Sequence, residues 1–347
     1  MIKLSNSSKI FIFCPYNVVT GGAELLHQLV HVLNENNRNA YIIYYNARQN
    51  SDIAVPIPYK KYNIRIAYNI DDQIDNVVVL FEAIFDKAIS IKSCQLIFWW
   101  LSVDNFFLFS RGYLSFLDYY RWNVTSGIQE TFLRILQTLH NPSKILKKKI
   151  RLNDLSCKNA LNCYQSEYAQ HFLISNKFKE ILPLSDFINT DFVLQEELGL
   201  REDKILYNPK KGFKFTKKLI QNTPHLKWVP LENMTVDELK KEFQTSKLYV
   251  DFGYHPGKDR IPREAALNGC CVITNRCGSA NFFEDVAIYN QYKIDEKRTS
   301  MIKIIRKIEE TLVNYSNCIS DFNFYKDRIL NEEILFEKQV KDIFNIQ

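Results

Sequence analysis

The chain sets short, apolar, β-rich runs at intervals with longer segments between them, and it does so in two successive series. In the first series the runs are Ile10 to Phe13, Ala40 to Tyr45, Val77 to Leu80 and Gln95 to Trp99. Ala160 to Cys163 and Glu180 to Leu184 close it, on either side of a helical stretch from Ser166 to Ile174. Strands separated in this way need crossover connections, and crossovers imply parallel sheets whose faces are covered by helices. From about Pro183 the pattern restarts with Lys204 to Tyr207, Leu226 to Val229, Lys247 to Phe252 and Cys271 to Thr274. At 347 residues the chain exceeds the usual size of a single hydrophobic core. Two α/β domains are therefore expected.

The helices between the runs carry their own signals. Gly21 and Gly22 precede Leu26, Leu29, Val30 and Leu33, whose helical spacing gives one face that packs on a sheet. Thr235 with Glu238 three residues later is a capping-box pattern, in which each side chain satisfies an orphan amide at a helix start. From about Glu296 the chain is charged and helical, with Ile302, Ile305 and Ile308 at helical spacing.

Composition excludes several classes. Hydrophobic residues make up 46% and charged residues 24%, which is not the signature of disorder. Met1 to Lys9 is polar and holds no apolar run of signal-peptide length, so export is not expected. The most apolar stretch, Gln95 to Phe109, is broken by Asp104 and Asn105 and falls short of the roughly 20 residues needed to span a bilayer. A cytoplasmic protein without a membrane-spanning helix is the expectation. The eight cysteines (Cys14, Cys94, Cys157, Cys163, Cys270, Cys271, Cys277 and Cys318) form no C-x-x-C pair, which favours reduced, mostly buried thiols. The formal charge of +6 is modest for this length and argues against a dedicated nucleic-acid binder.

Two segments could carry chemistry. In Thr20-Gly21-Gly22-Ala23-Glu24 a glycine pair lies between a strand and a helix amino terminus, where exposed amides could hold a phosphate or a sugar hydroxyl. The same pair would equally serve tight strand-to-helix packing. The second segment runs from Tyr254 to Thr274. It sets Gly257, Lys258, Arg260 and Arg263 after one strand, Asp259 and Glu264 at a helix start, and a small-residue helix that ends at Gly269 before the next strand. A diphosphate needs cations and amides, and a ribose needs a carboxylate that accepts from its hydroxyls. Both are supplied within one loop and one helical turn, although the same charges could also form a solvated surface.

At these residues the sequence resembles the retaining GT-B glycosyltransferases, in particular family four, which includes many bacterial surface-polysaccharide enzymes. Gly21-Gly22-Ala23-Glu24 is similar to the family's amino-terminal glycine turn. Asn208-Pro209-Lys210-Lys211-Gly212 is similar to its basic stretch at the first strand of the donor domain. Arg263 to Gly269 followed by Cys271 to Thr274 resembles its donor-binding signature, and Gly278-Ser279-Ala280 its loop beside the phosphates. The resemblance implies two Rossmann-like domains facing across a cleft. Residues 1–182 would hold the acceptor, 183–325 would hold a nucleoside diphosphate sugar, and a helix in 326–347 would cross back to the first domain. It also implies that Glu264 binds the donor ribose and that Lys211, with Lys258 or Arg263, offsets charge on the leaving diphosphate. In one respect the chain departs from the pattern. The family has two acids eight positions apart, and the earlier one is Pro256 here, with Asp259 as its candidate replacement.

No metal and no cofactor are expected beyond the donor itself. The acidic cluster Asp71-Asp72-Gln73-Ile74-Asp75 lacks Asp-x-Asp spacing after a strand, and G-x-G-x-x-G is absent after the first strand. His27, His31 and His140 read as surface or satisfied core residues. A glycan or lipid-linked glycan is the expected acceptor. The aromatics Phe98, Trp99, Trp100, Phe106, Phe107 and Phe109, with the cations Lys144, Lys147, Lys148, Lys149 and Arg151, offer a seat on the anionic inner leaflet of a membrane. A core strand and an exposed helix end are the competing readings of those two stretches. A non-catalytic sugar-nucleotide binder, or a partner subunit of an active transferase, is the alternative function.

Overall fold

The computed structural model describes residues 2–47, 53–107, 152–189 and 200–346. The chain divides into two compact units, one made of Met1–Asp186 with Ile334–Gln347 and the other of Phe187–Glu333.

The first unit is built on a six-stranded sheet in the order β2-β1-β3-β4-β5-β6, all neighbours parallel. Its strands are β1 (Lys9–Pro15), β2 (Asn39–Tyr45), β3 (Val77–Phe81), β4 (Gln95–Trp100), β5 (Ala160–Tyr164) and β6 (Ile181–Pro183). Val77 to Leu80 and Leu96 to Trp100 are buried without alternation, as expected of parallel strands covered on both faces. Helix α1 (Gly21–Glu35) starts at Thr20, whose hydroxyl accepts from the Ala23 amide at 3.3 Å. Its buried set, from Ala23 to Leu33 with few gaps, exceeds the single face read from periodicity. Helix α2 (Glu167–Ser175) is capped in the same way by Ser166.

The aromatic run belongs to this core and not to a membrane-facing surface. Trp100 packs among Phe85, Phe106, Phe172 and Phe178, and Trp99 stacks near Phe336 while its Nε1 donates to the Leu184 carbonyl at 2.8 Å. Phe98, Trp99, Trp100, Phe106 and Phe107 are all buried, so the proposed membrane seat loses those five aromatics. Phe109, Lys144, Lys147, Lys148, Lys149 and Arg151 lie outside the described residues. Among the described residues no helix is long and apolar enough to cross a membrane.

The second unit holds a five-stranded parallel sheet in the order β11-β10-β9-β7-β8. Its strands are β7 (Glu202–Tyr207), β8 (Lys227–Pro230), β9 (Ser246–Asp251), β10 (Cys271–Asn275) and β11 (Lys293–Ile294). Helix α3 (Phe213–Asn222) links β7 to β8. Helix α4 (Val236–Thr245), which carries the Thr235–Glu238 capping box, links β8 to β9, and α5 (Arg260–Leu267) links β9 to β10. After β11 come α6 (Met301–Val313), α7 (Asn323–Leu330) and α8 (Glu332–Phe344). The periodic stretch is the helix α6, whose packed face is Ile304, Ile308 and Leu312 with Ile305 against the core, whereas Ile302 is 72% exposed. Of the cysteines, Cys14, Cys94, Cys163, Cys270 and Cys271 are buried, and none of the eight is in a disulfide.

Two features fix the loops at the carboxyl ends of this sheet. Gly212 sits at φ +61°, and a Cβ there would collide with the Phe252 carbonyl, so the loop after β7 is held against the loop after β9. Arg263 is fully buried on α5, and its Nη1 donates to Glu332 Oε2 at 2.7 Å at the start of α8. Lys258 Nζ reaches the other oxygen of Glu332 at 2.6 Å. Two substitutions test these restraints by thermal unfolding. Gly212→Ala is expected to cost about 1–3 kcal/mol through backbone strain and the clash. Glu332→Ala is expected to cost about 3 kcal/mol or more, because it strips the carboxylate from a buried guanidinium.

Candidate functional site

In the second unit the chain leaves β7 for β8 on one side and returns to β9 on the other. In a parallel α/β sheet such a reversal parts the loops at the carboxyl ends of the two strands and opens a place for a ligand. The loops here are Asn208 to Gly212 and Phe252 to Asp259, and the loop after β10, Arg276 to Ala280, lies beside them. The last two are joined by hydrogen bonds to backbone carbonyls. The Asn275 amide group donates to the Gly253 carbonyl at 2.7 Å, the Ser279 amide to the His255 carbonyl at 2.9 Å, and Ser279 Oγ to the Gly257 carbonyl at 2.6 Å. Gly278 adopts φ +55° where a Cβ would meet the His255 backbone, and a Cβ on Gly253 would press on Lys211 and Asp251. Glycine is needed at these contacts because the loops approach backbone to backbone.

The charged residues of the sequence segment divide into two groups. Arg263 and Lys258 face Glu332, and Arg263 also donates to the carbonyls of Asp259 and Lys258, so Arg263 braces the loop from within. Glu264 is buried on α5 and accepts from Arg260 Nε at 3.1 Å, one turn away. Lys211 is placed differently. Its side chain keeps 32% exposure at the reversal between β7 and β9, and its ammonium meets both oxygens of Asp259, at 2.8 and 2.7 Å. Asp259 is therefore the counter-ion of Lys211.

Behind Asp259 lies a residue that carries no role in the sequence reading. His255 is fully buried, with Nδ1 2.8 Å from Asp259 and Nε2 3.7 Å from Asp251. Asp251 at the end of β9 also accepts from the Gly253 amide at 2.9 Å and from the Tyr249 hydroxyl at 2.7 Å. Burial by itself would raise the Asp259 carboxyl, but Lys211 and His255 outweigh it and hold the group at about 2. For His255 burial acts downward, and the two carboxylates overcome it and leave the imidazole above its ordinary value. The D-x-x-x-H-x-x-x-D spacing of residues 251, 255 and 259 was the signal available in the sequence. These side chains offer three potential ligand atoms close together, yet the ammonium already takes both oxygens of Asp259.

The first unit has its own reversal, between β1 and β3. Gly21 and Gly22 open α1 there, and Gly22 is exposed. The turn is held by the Tyr59 hydroxyl, which accepts from the Thr20 amide at 3.1 Å and lies 3.2 Å from the Thr20 carbonyl. Glu82, directly after β3, is buried and accepts from the Leu101 amide at 3.0 Å, and burial pushes its carboxyl up to about 7. Sequence reading passed over it, although an acid straight after an apolar strand was visible. His27 is a satisfied core residue. Its ring nitrogens meet the Ala23 carbonyl at 2.7 Å and the Tyr44 hydroxyl at 2.8 Å, and burial lowers it to about 4. His31 accepts from the Asn63 amide, and His140 lies outside the described residues.

No family model matches the chain, and no curated protein matches it. Among solved structures it is similar to a sucrose-phosphate synthase from Thermosynechococcus elongatus, with a TM-score of 0.62 and 10% identity over 97% of this chain and 98% of that one. It is similar to HepE of Anabaena in complex with UDP-glucose, with a TM-score of 0.56 and 10% identity over 97% and 99% of the two chains. A third likeness is to WaaG, a glycosyltransferase involved in lipopolysaccharide biosynthesis, with a TM-score of 0.52 and 10% identity over 96% and 99%. At these identities the likeness is one of fold. The two parallel-sheet α/β units have the architecture of the GT-B glycosyltransferases.

Proposed function

We propose that the chain transfers a sugar from a nucleoside diphosphate sugar to a glycan or lipid-linked glycan acceptor in surface-polysaccharide synthesis, as a retaining, metal-independent enzyme of the family-four type. The observation that carries this reading is Lys211, a cation that keeps solvent access at the sheet reversal of the second unit, flanked by three loops that approach through glycine and backbone contacts. HepE in complex with UDP-glucose shares this fold, which supports a nucleotide-sugar donor. Lys211 and the loop amides of Gly257 and Gly278 would face the diphosphate, whereas the Ser279 and Ala280 amides are spent on the His255 and Cys277 carbonyls and hold the loop. Glu264 would accept from the ribose hydroxyls. Such groups act by stabilising negative charge on the leaving diphosphate, which grows as the bond to the sugar breaks. Lys258 and Arg263 would support the loop from behind. The acceptor is assigned to the first unit, near Gly21, Gly22 and Glu82.

One observation favours the second reading, a sugar-nucleotide binder without turnover. The family's earlier acid is Pro256 here, and Asp259, its candidate replacement, is engaged by Lys211. Two measurements separate the readings. In a thermal-shift panel of UDP, GDP, CDP and ADP, one nucleotide is expected to stabilise the wild type and to lose that effect in Glu264→Ala, because a ligand that binds only the folded state raises its stability by mass action. No stabilisation by any of the four would remove the support for a nucleotide-sugar enzyme. With the matching donor sugar, slow release of nucleoside diphosphate without acceptor is expected, reduced about 100-fold or more in Lys211→Ala. Binding without release would favour the non-catalytic reading.

A further inference from the structure

Lys211 does not stand alone. From it a file of charges runs inward: its ammonium on Asp259, Asp259 on the His255 ring, and the ring on Asp251. Side-chain exposure falls along that file from 32% at Lys211 to 18% at Asp259, 0% at His255 and 2% at Asp251, so of the four only the lysine has much contact with solvent. Neither ring nitrogen of His255 makes an aligned hydrogen bond, although one lies 2.8 Å from a carboxylate oxygen. Charge therefore binds the ring more than directed bonding does. Two carboxylates opposite one ammonium would leave an uncompensated charge in a buried place, which is costly, whereas an imidazolium closes the balance. The groups that bear on the ring are Asp251 and Asp259 at the two ends of its loop, Lys211 from the loop after β7, and Glu296 beyond β11. Tyr249 of β9 reaches Asp251 behind it.

We propose that His255, protonated and braced by Asp251, is a positioning residue for Lys211: it compensates the Asp259 carboxylate, so that the ammonium stays fixed on Asp259 and still offers an N–H to a donor phosphate. The proposal rests on the reading of this site as a donor site. An ammonium has three N–H groups, and the two oxygens of Asp259 account for two of them. When His255 loses its proton, the Lys211 ammonium alone is left against Asp259 and Asp251, and an incoming phosphate meets a net negative charge. A bound phosphate adds negative charge near the ring and raises its proton affinity further. Binding then takes up a proton, and affinity falls as pH rises through the raised His255 value.

The test is calorimetric titration of inorganic pyrophosphate, and of UDP, GDP, CDP and ADP, into the wild type, His255→Gln and Asp251→Asn between pH 5.5 and pH 9. Taking the ratio of variant to wild-type Kd at each pH cancels the ionisation of the probe itself. His255→Gln is expected to weaken pyrophosphate binding about tenfold at the acid end, with the gap closing as the wild type loses its proton. Asp251→Asn should move the wild-type transition to lower pH. The imidazole resonance of His255 in the wild type, followed with and without pyrophosphate, needs no variant to fold. Its titration should shift to higher pH when pyrophosphate is bound. A Kd ratio that stays flat with pH, or a ring that is neutral at pH 6, overturns the positioning role while leaving the donor site standing. A wild type that binds neither pyrophosphate nor any of the four nucleotides overturns the donor-site reading and the proposal with it.

Discussion

Parallel pairing is the constraint on which the rest depends. A parallel sheet must return each strand to the same end by a crossover, so helices cover both faces and the strands become continuous apolar runs. Val77 to Leu80 and Cys271 to Ile273 are such runs, with no side left for water. Charge is pushed to the ends of the strands, and where the strand order reverses, the carboxyl ends part. Lys211 and Asp259 stand at one reversal, and Gly22 and Glu82 lie at the loops of the other.

The second unit shows how few groups such an arrangement requires. Three loops are brought together by glycines whose missing Cβ atoms let backbone meet backbone, and Arg263 with Glu332 braces them from beneath. Within that frame the three cations part ways: Arg263 is sealed inside, Lys258 leans on the same carboxylate, and Lys211, 47 positions before Lys258 in the chain, keeps its access to solvent.

Legibility followed the same physics. Strand runs were visible because burial on both faces leaves a local record in residue type, and the caps at Thr20, Ser166 and Thr235 are local as well. The helix α6 was legible from the spacing of Ile302, Ile305 and Ile308, but which face is covered, Ile304, Ile308 and Leu312 with Ile305 beside them, is chosen by packing. The aromatic run at Phe98 to Trp100 could suit a membrane seat or a core, and its neighbours Phe85, Phe172 and Phe178 come from distant positions. His255 was passed over for a related reason. Its partners at 251 and 259 are near in sequence, yet what makes the three a unit is Lys211, which arrives from another crossover.

The last helix has a consequence for the order of assembly. Trp99 of β4 lies against Phe336, and Phe336, Val340, Ile343 and Phe344 are buried in a unit whose other residues end at Asp186. A chain emerging from the ribosome thus completes its first six strands long before the last of the side chains packed in their unit exist. The second unit, continuous from Phe187 to Glu333, has all of its residues in hand earlier. Although domains generally fold from the amino terminus onward during synthesis, here the unit begun first is the one finished last.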